Sequence, residues 1–345
     1  MIQKAIPASI AAPLFGNWPK TMICSCLSGV MGEVYLDLPE DAGAPHSTDT
    51  PDSADTPDSA STPDSTGMPD SAGTPDSTDT PHSASTPDSA NRSSAPVSAM
   101  AILGDFVFLA GKPSPGLLNH LMEDRRPYRI LVPQPESQVL QAESQVPCPG
   151  IHDTRSIIHE THPEIHVPQK DSWQTLIARV FGQAAHPITR YATKKDPEAF
   201  SIHQLQEILK RLPASLSLHP MDEALYHRCL EESWSRDLVS LFPDWETYRK
   251  LGLGMVILEK GELVSGASSY SRYPEGIEIE IDTREDCRRR GLASVCGAAL
   301  ILECLKRGLY PSWDAHTLQS LSLAKKLGYE PDGSYLAYEL VIPDK

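Results

Sequence analysis

The sequence predicts an α/β fold on mixed sheets, α+β in its strand order, and three stretches carry that prediction. Gly276-Ile-Glu-Ile-Glu-Ile-Asp-Thr283 alternates apolar and acidic side chains with the period of two that a strand requires. Leu292 to Leu302 is almost unbroken apolar and too long for a strand, and Lys306-Arg307-Gly308 supplies the cations and glycine that end a helix. Gly254 to Glu259 and Glu262 to Tyr270 flank Lys260-Gly261, so a hairpin precedes that strand-to-helix unit. Meandering strands that lead into a strand-to-helix unit make the sheet mixed.

Along the chain, Ala5 to Phe15 is apolar after Lys4, but Pro7 and Pro13 interrupt it, so no signal peptide is expected. Gly32 to Leu36 reads as a strand. Ala99 to Leu103 and Phe106 to Ala110 read as two more, turning at Gly104-Asp105. Between them, Pro45, Pro51, Pro57, Pro63, Pro69, Pro75, Pro81 and Pro87 recur every six residues, mostly within Thr-Pro-Asp-Ser. A hexapeptide β-helix needs an aliphatic residue in each turn, and these repeats have almost none. Residues 41–97 are therefore expected to be a disordered low-complexity insert. A second irregular insert is expected over 134–170, where Glu136-Ser-Gln-Val139 reappears as Glu143-Ser-Gln-Val146. It holds His152, His159, His162 and His166. His159-Glu-Thr-His162 is one residue short of the spacing that puts two histidines on one helical face, and Pro163 opposes a helix, so no metal site is expected.

Helices are expected over Trp173–Phe181 and Ile202–Leu212, a strand over Ser215–His219, a helix capped by Asp222, and another over Trp245–Leu251.

The 345 residues allow about two domains. The net charge of −16 argues against a sequence-independent nucleic-acid binder, so an anionic ligand must meet a local basic patch. Ten aspartates with no Lys, Arg or Glu lie within 41–90, which leaves only −6 elsewhere. Seven cysteines, an odd number without Cys-x-x-Cys, read as reduced packing cysteines of a cytoplasmic protein. No run of 18 apolar residues exists, so no membrane partner is expected. Nothing in the sequence specifies an oligomeric state.

The chemistry concentrates after the alternating strand. Ile277, Ile279 and Ile281 share one face and Glu278, Glu280 and Asp282 the other. Three acids on one face mean either an edge strand with a wet side or the wall of a solvent-filled cleft. Next come Arg284, Arg288, Arg289 and Arg290, then Gly291-Leu292-Ala293 at the helix start. Free N–H groups, a positive helix end and small residues suit a pyrophosphate there. The pattern Arg-x-x-Gly-x-Ala is weak alone, and a glycine that merely eases helix packing is the alternative. Its position between strand and buried helix is what gives it weight. A Rossmann glycine loop and a P-loop lysine are both absent.

This segment resembles motif A of the GNAT superfamily of acyl-CoA-dependent N-acetyltransferases. The likeness continues through Leu300 to Asp314 and Leu323-Ala-Lys-Lys-Leu-Gly-Tyr329. With Val264 to Tyr270 and Glu278 to Asp282, it is similar to the bacterial subgroup that includes zwittermicin-resistance-type proteins. Specific resemblance spans 216–341. A looser likeness over 13–40 and 98–133 implies a degenerate GNAT-like N-terminal half, hence domains at 1–200 and 201–345. The resemblance implies acetyl-CoA as co-substrate, without a metal, in a V-shaped gap between the strand ending near Thr283 and the strand Leu309–Asp314. Its pyrophosphate would lie on the amides of Arg288, Arg289, Arg290, Gly291, Leu292 and Ala293, and its pantetheine arm along residues 279–283, including Ile281 and Thr283. Glu280 or Glu278 becomes a candidate general base, or a charge that attracts a cationic substrate.

Two family residues are missing: Thr317 stands in place of an asparagine, and Ala324 in place of a tyrosine general acid. That leaves Ser320, Tyr329 or water to protonate the leaving thiolate, Tyr329 reading more as a core residue. The expected function is N-acetyl transfer to a small amine, such as an amine-bearing antibiotic or metabolite, by direct attack in a ternary complex. The alternative is a non-catalytic acyl-CoA-binding regulatory or interaction module.

Overall fold

A computed structural model describes residues 1–38, 95–123, 128–135 and 171–341. The N-terminal half supplies β1 (Ile2–Lys4), α1 (Ala12–Phe15), α2 (Thr21–Ser28), β2 (Glu33–Asp37), β3 (Ser98–Leu103), β4 (Phe106–Gly111), α3 (Pro115–Glu123) and β5 (Tyr128–Pro133). There follow α4 (Trp173–Phe181), β6 (Ala185–Thr193), α5 (Ile202–Leu209), β7 (Leu216–Pro220), α6 (Glu223–Glu231), α7 (Trp245–Leu251), β8 (Gly254–Glu259), β9 (Glu262–Tyr273) and β10 (Gly276–Thr283). The chain ends in α8 (Leu292–Lys306), β11 (Tyr310–Ser312), β12 (Asp314–Ala315), α9 (Leu318–Leu327) and β13 (Pro331–Val341).

The expected elements form where local chemistry asks for them. Asp222 accepts the N–H of Leu225 at 2.9 Å to start α6, Asp244 that of Thr247 at 2.7 Å to start α7, and Thr317 that of Ser320 at 3.1 Å to start α9. Each such cap is worth about 1 kcal/mol. Leu103 and Phe106 are register partners across the Gly104-Asp105 turn. The α8 helix is apolar on nearly every side because β10 and α9 both cover it: a Cβ at Gly297 would lie 2.8 Å from Leu327 and 3.1 Å from Ile281.

Two sheets result, ordered β1-β2-β3-β4-β5-β13-β6-β12 and β11-β10-β9-β8-β7. Their membership does not divide at residue 200. The C-terminal β13 lies between β5 and β6, and the N-terminal α2 packs against β9. Such long-range pairing leaves no local signature for β1, β5, β6 and β13, and the sequence pattern does not indicate the short helices α1, α2 and α3 either.

The irregular stretch also begins later than expected. Gln134 is buried, accepts the N–H of Gly111 at 3.0 Å and donates to the Leu14 carbonyl at 3.2 Å, so it belongs to the fold. The Thr-Pro-Asp-Ser repeats and the four histidines of the second insert lie outside the described residues. Asp37 and Ser98, on either side of the repeats, are partners in adjacent antiparallel strands.

The site is positioned by one divergence. The parallel pairing of β10 with β11 covers only Gly276–Glu278 against Tyr310–Ser312. After Trp313 the chain leaves for the other sheet, where β12 pairs with β6. Beyond Glu278, one edge of β10 is open.

Candidate active site

Backbone parity decides what that edge offers. The Arg284 N–H bonds to the Val264 carbonyl at 3.0 Å and the Ser265 hydroxyl donates to the Asp282 carbonyl at 3.2 Å, so even-numbered residues turn their polar groups toward β9. Ile279, Ile281 and Thr283 therefore present theirs to the opening. The edge runs into a turn where Arg289 has φ +61° and Gly291 φ +82°. Gly291 caps α8, its carbonyl accepting the N–H groups of Ser294 and Val295. A Cβ at Gly291 would meet no protein atom within 4 Å, so the first turn of α8, with its N–H groups lacking intrahelical partners, faces an open hollow.

Edge and hollow line one cleft of about 1120 Å³, together with Trp313, Thr317 and Ser320. Of the expected cofactor residues, Ile281, Thr283, Arg288, Arg289, Gly291, Leu292 and Ala293 line it. Arg288 donates to the Thr283 carbonyl at 3.2 Å, and Arg289 makes no side-chain hydrogen bond or ion pair among the described residues. Arg290 is turned away from the cleft, its guanidinium gripping Glu259 of β8 at 2.8 and 3.0 Å. Arg284 is likewise occupied, by Asp286 at 2.7 Å. The positive field at the hollow thus comes from two arginines and the helix end rather than from four arginines.

The inner end of the cleft is acidic. Burial pushes the Glu280 carboxyl up to about 8, helped by the like charges of Asp282 and Asp237, and burial with Asp237 raises Asp282 to about 6. Asp105, Arg190 and Tyr270 complete this end. Arg190 and Asp237 carry no sequence signal, since the other sheet and a short turn bring them in; Asp105 reads only as a hairpin-turn residue, and Tyr270, on the adjacent β9, only as the end of the 264–270 phrase. Ser320 also faces the cleft, its Oγ accepting the Trp313 indole N–H at 3.1 Å. Tyr329 is a core residue, its hydroxyl on the Pro311 carbonyl at 2.6 Å, and Ala324 is fully buried.

Glu278 is separated from Glu280. It lines a second cavity, of about 690 Å³, beside Lys20, Thr21 and Tyr310. The Thr21 hydroxyl donates to Oε2, while Oε1 has no partner among the described residues. Burial, then the nearby Asp314 charge, pushes Glu278 up to about 7. Burial opposes ionisation of Asp314 too, but Lys20 at 2.7 Å and Arg190 at 2.9 Å hold its carboxyl below the usual range.

A mixed sheet that opens beside a helix-terminal hollow is the framework of an acyltransferase, and the relatives of this chain agree. The GNAT acetyltransferase family matches residues 89–338, and the chain belongs to that family. It is similar to a GCN5-related N-acetyltransferase-like protein from Streptococcus suis 89/1591, with 39% identity, 97% of this chain and 98% of that one covered, and a TM-score of 0.66. It is 28% identical over 173 residues to the uncharacterized N-acetyltransferase YdfB of Bacillus subtilis (strain 168), covering 49% of this chain and 62% of that relative.

Proposed function

We propose that the protein is an acetyl-CoA-dependent N-acetyltransferase that acylates a small amine by direct attack in a ternary complex, in the reducing cytoplasm. The observation that carries this reading is the continuity of the open β10 edge with the hollow at Gly291. The backbone of 279, 281 and 283 would pair with the pantetheine amides. Arg288, Arg289 and the amides of 291–293 would hold the pyrophosphate. The six described cysteines are all free thiols. Assignment to the zwittermicin-resistance-type subgroup rests on the phrases 264–270, 278–282, 300–314 and 323–329.

Glu280 has the acidity of a useful base. Once ionised, a carboxylate raised to about 8 is a stronger base toward an ammonium than an ordinary glutamate, and its ionised fraction grows as pH climbs toward 8. The freed nitrogen attacks the thioester carbonyl, a C–N bond forms, the C–S bond breaks and the thiolate departs. Ser320 is placed to return a proton: because its oxygen accepts from Trp313, its own O–H is left to donate into the cleft. Cys287 does not serve as an acyl carrier in this scheme, since it is buried with its sulfur under the Arg284 and Arg290 guanidinium groups.

The buried Ala324 in place of the family tyrosine favours a second reading, an acyl-CoA-binding module without turnover. A thiol-release assay with acetyl-CoA and a panel of primary amines separates the two. Amine-dependent release supports the transferase. Calorimetric binding of acetyl-CoA without release across the panel overturns it.

A further inference from the structure

The 690 Å³ cavity contains none of the residues assigned to the nucleotide above. Its volume falls in the range of small-molecule pockets. At its base lies Glu278, only 5% exposed. One carboxylate oxygen is held by Thr21, and the other has no partner among the described residues. Buried polar atoms in native folds are almost always hydrogen-bonded, so a feature of this kind calls for a ligand that supplies the donor.

The nearest cation does not supply it. Lys20 is bonded to Asp314 at 2.7 Å and lies over the Tyr335 ring at 3.3 Å, while Arg190 and the Tyr335 hydroxyl take up the remaining capacity of Asp314. No ion pair to Glu278 forms among the described residues. The rest of the wall mixes polar residues with four rings, Trp18, Tyr310, Trp313 and Tyr335, and Lys195 lies 5.8 Å from the centre of the Tyr310 ring. An ammonium donor on Glu278 and a flat apolar body among the rings would satisfy both features.

We infer that this cavity takes the acceptor, a primary amine with a flat apolar body, whose nitrogen donates to Oε1 of Glu278 and whose specificity is set by the N-terminal half through Trp18 and Thr21. The inference rests on the amine-acceptor reading above. The two cavities share Trp313 and Asp314 in their walls, and Glu278 and Glu280 are two residues apart on one strand face, about 7 Å. An amine anchored at Glu278 thus lies one step along the strand from the base, with its body directed away from the phosphate hollow. The N-terminal half, far from the nucleotide contacts in sequence, then becomes the part that chooses the substrate.

Cys24 gives a direct probe, because it is exposed and lines this cavity while the other described cysteines are buried. The full chain is treated with iodoacetamide, and alkylation of Cys24 is followed by peptide mapping in the presence of phenethylamine, tryptamine, cyclohexylmethylamine or the uncharged 2-phenylethanol. At least one amine should slow the reaction while the alcohol does not. Glu278→Gln should raise the half-protecting amine concentration about tenfold or more, the loss expected for a hydrogen bond to a charged group. Its calorimetric affinity for acetyl-CoA should stay that of the parent. Thr21→Val, which keeps the glutamate, should weaken protection less, and it carries the test together with the parent if Glu278→Gln does not fold. Absence of protection by every amine, or protection that neither substitution alters, overturns the assignment. Thiol release with no Glu278-dependent protection leaves the transferase standing and removes this pocket. Glu278-dependent protection without thiol release keeps the pocket and removes the transferase.

Discussion

Gly291 and Gly308 stand at opposite ends of α8, and together they isolate the phosphate hollow from the stability of the helix. Both are left-handed, with φ +82° and +68°, and a Cβ at either would meet nothing within 4 Å. Gly291→Ala and Gly308→Ala should therefore incur the same backbone strain, about 1 to 2 kcal/mol, and lower the melting temperature by roughly 2 to 4 °C for each kcal/mol. Only at Gly291 does the added methyl project where, in the proposed complex, the pyrophosphate meets backbone N–H groups. Gly291→Glu adds a negative charge there, and at about 4 Å with an effective dielectric constant of about 20 the repulsion is of order 4 kcal/mol, a loss of roughly a thousandfold in affinity. Calorimetry with acetyl-CoA should show Gly308→Ala binding as the parent does, Gly291→Ala binding more weakly and Gly291→Glu not measurably binding. If the two alanine variants bind alike, or Gly291→Glu binds as the parent does, the phosphate site is not at this helix end.

Glu280→Gln should lower kcat by roughly 10²- to 10⁴-fold at neutral pH, leave acetyl-CoA affinity intact and remove the rise in rate as pH climbs through about 8; a change confined to KM would reduce Glu280 to a charge that attracts substrate. Because the fold raises this carboxyl above its unfolded value of 4.5, the native state binds more protons, so the parent loses stability as pH rises from there toward 8. Thermal melts at pH 8.5 should accordingly favour the Gln variant over the parent, while melts at pH 4 should not. Arg289→Ala should weaken acetyl-CoA binding and flatten its salt dependence, whereas Arg290→Ala, which removes the contacts to Glu259 and the Cys287 sulfur, should leave both unchanged; equal effects on binding would mean that Arg290 reaches the nucleotide after all. Replacing 41–94 with a short Gly/Ser linker should change neither melting temperature nor acetyl-CoA affinity appreciably, since β2 and β3 already meet at Asp37 and Ser98; a large drop in melting temperature would give the repeats a structural role.

What the sequence disclosed was whatever its own local pattern encodes. The alternating strand over 276–283 and the apolar run after Gly291 read correctly because period-two and all-round apolar patterns are properties of contiguous residues. The glycine at φ +82° was legible for the same reason, as a small residue between a strand and a helix. Arg290 was not, because its direction is fixed by Glu259, 31 residues earlier, on a hairpin strand that folds back beside it. Nor was β13, whose Pro331–Val341 carries Gly333 and mostly exposed positions and is held by partners in β5 and β6.

The division between Glu278 and Glu280 shows most clearly what pattern alone misses. Parity puts both on one face of β10, and nothing in Ile-Glu-Ile-Glu-Ile distinguishes them. Two events at the same point of the sheet do. Glu278 is the last residue of β10 paired with β11, so the opening begins just beyond it. On the other edge Glu278 pairs with Ser271 and Ile279 with Ser269, which makes Tyr270 a bulge in β9. A bulge bends its strand and redirects the side chains around it. Tyr270 thereby enters the inner end of the cleft that ends at Gly291, where its hydroxyl accepts the Asp105 N–H at 3.1 Å and ties the N-terminal half to the opening. The strand is thus parted between its two glutamates, leaving one beside a cavity walled by the N-terminal half and the other in the cleft that ends at Gly291. In the proposed reaction an acceptor and an acyl donor approach from those two sides and meet at the bulge, which is why identical residues two positions apart are assigned different tasks.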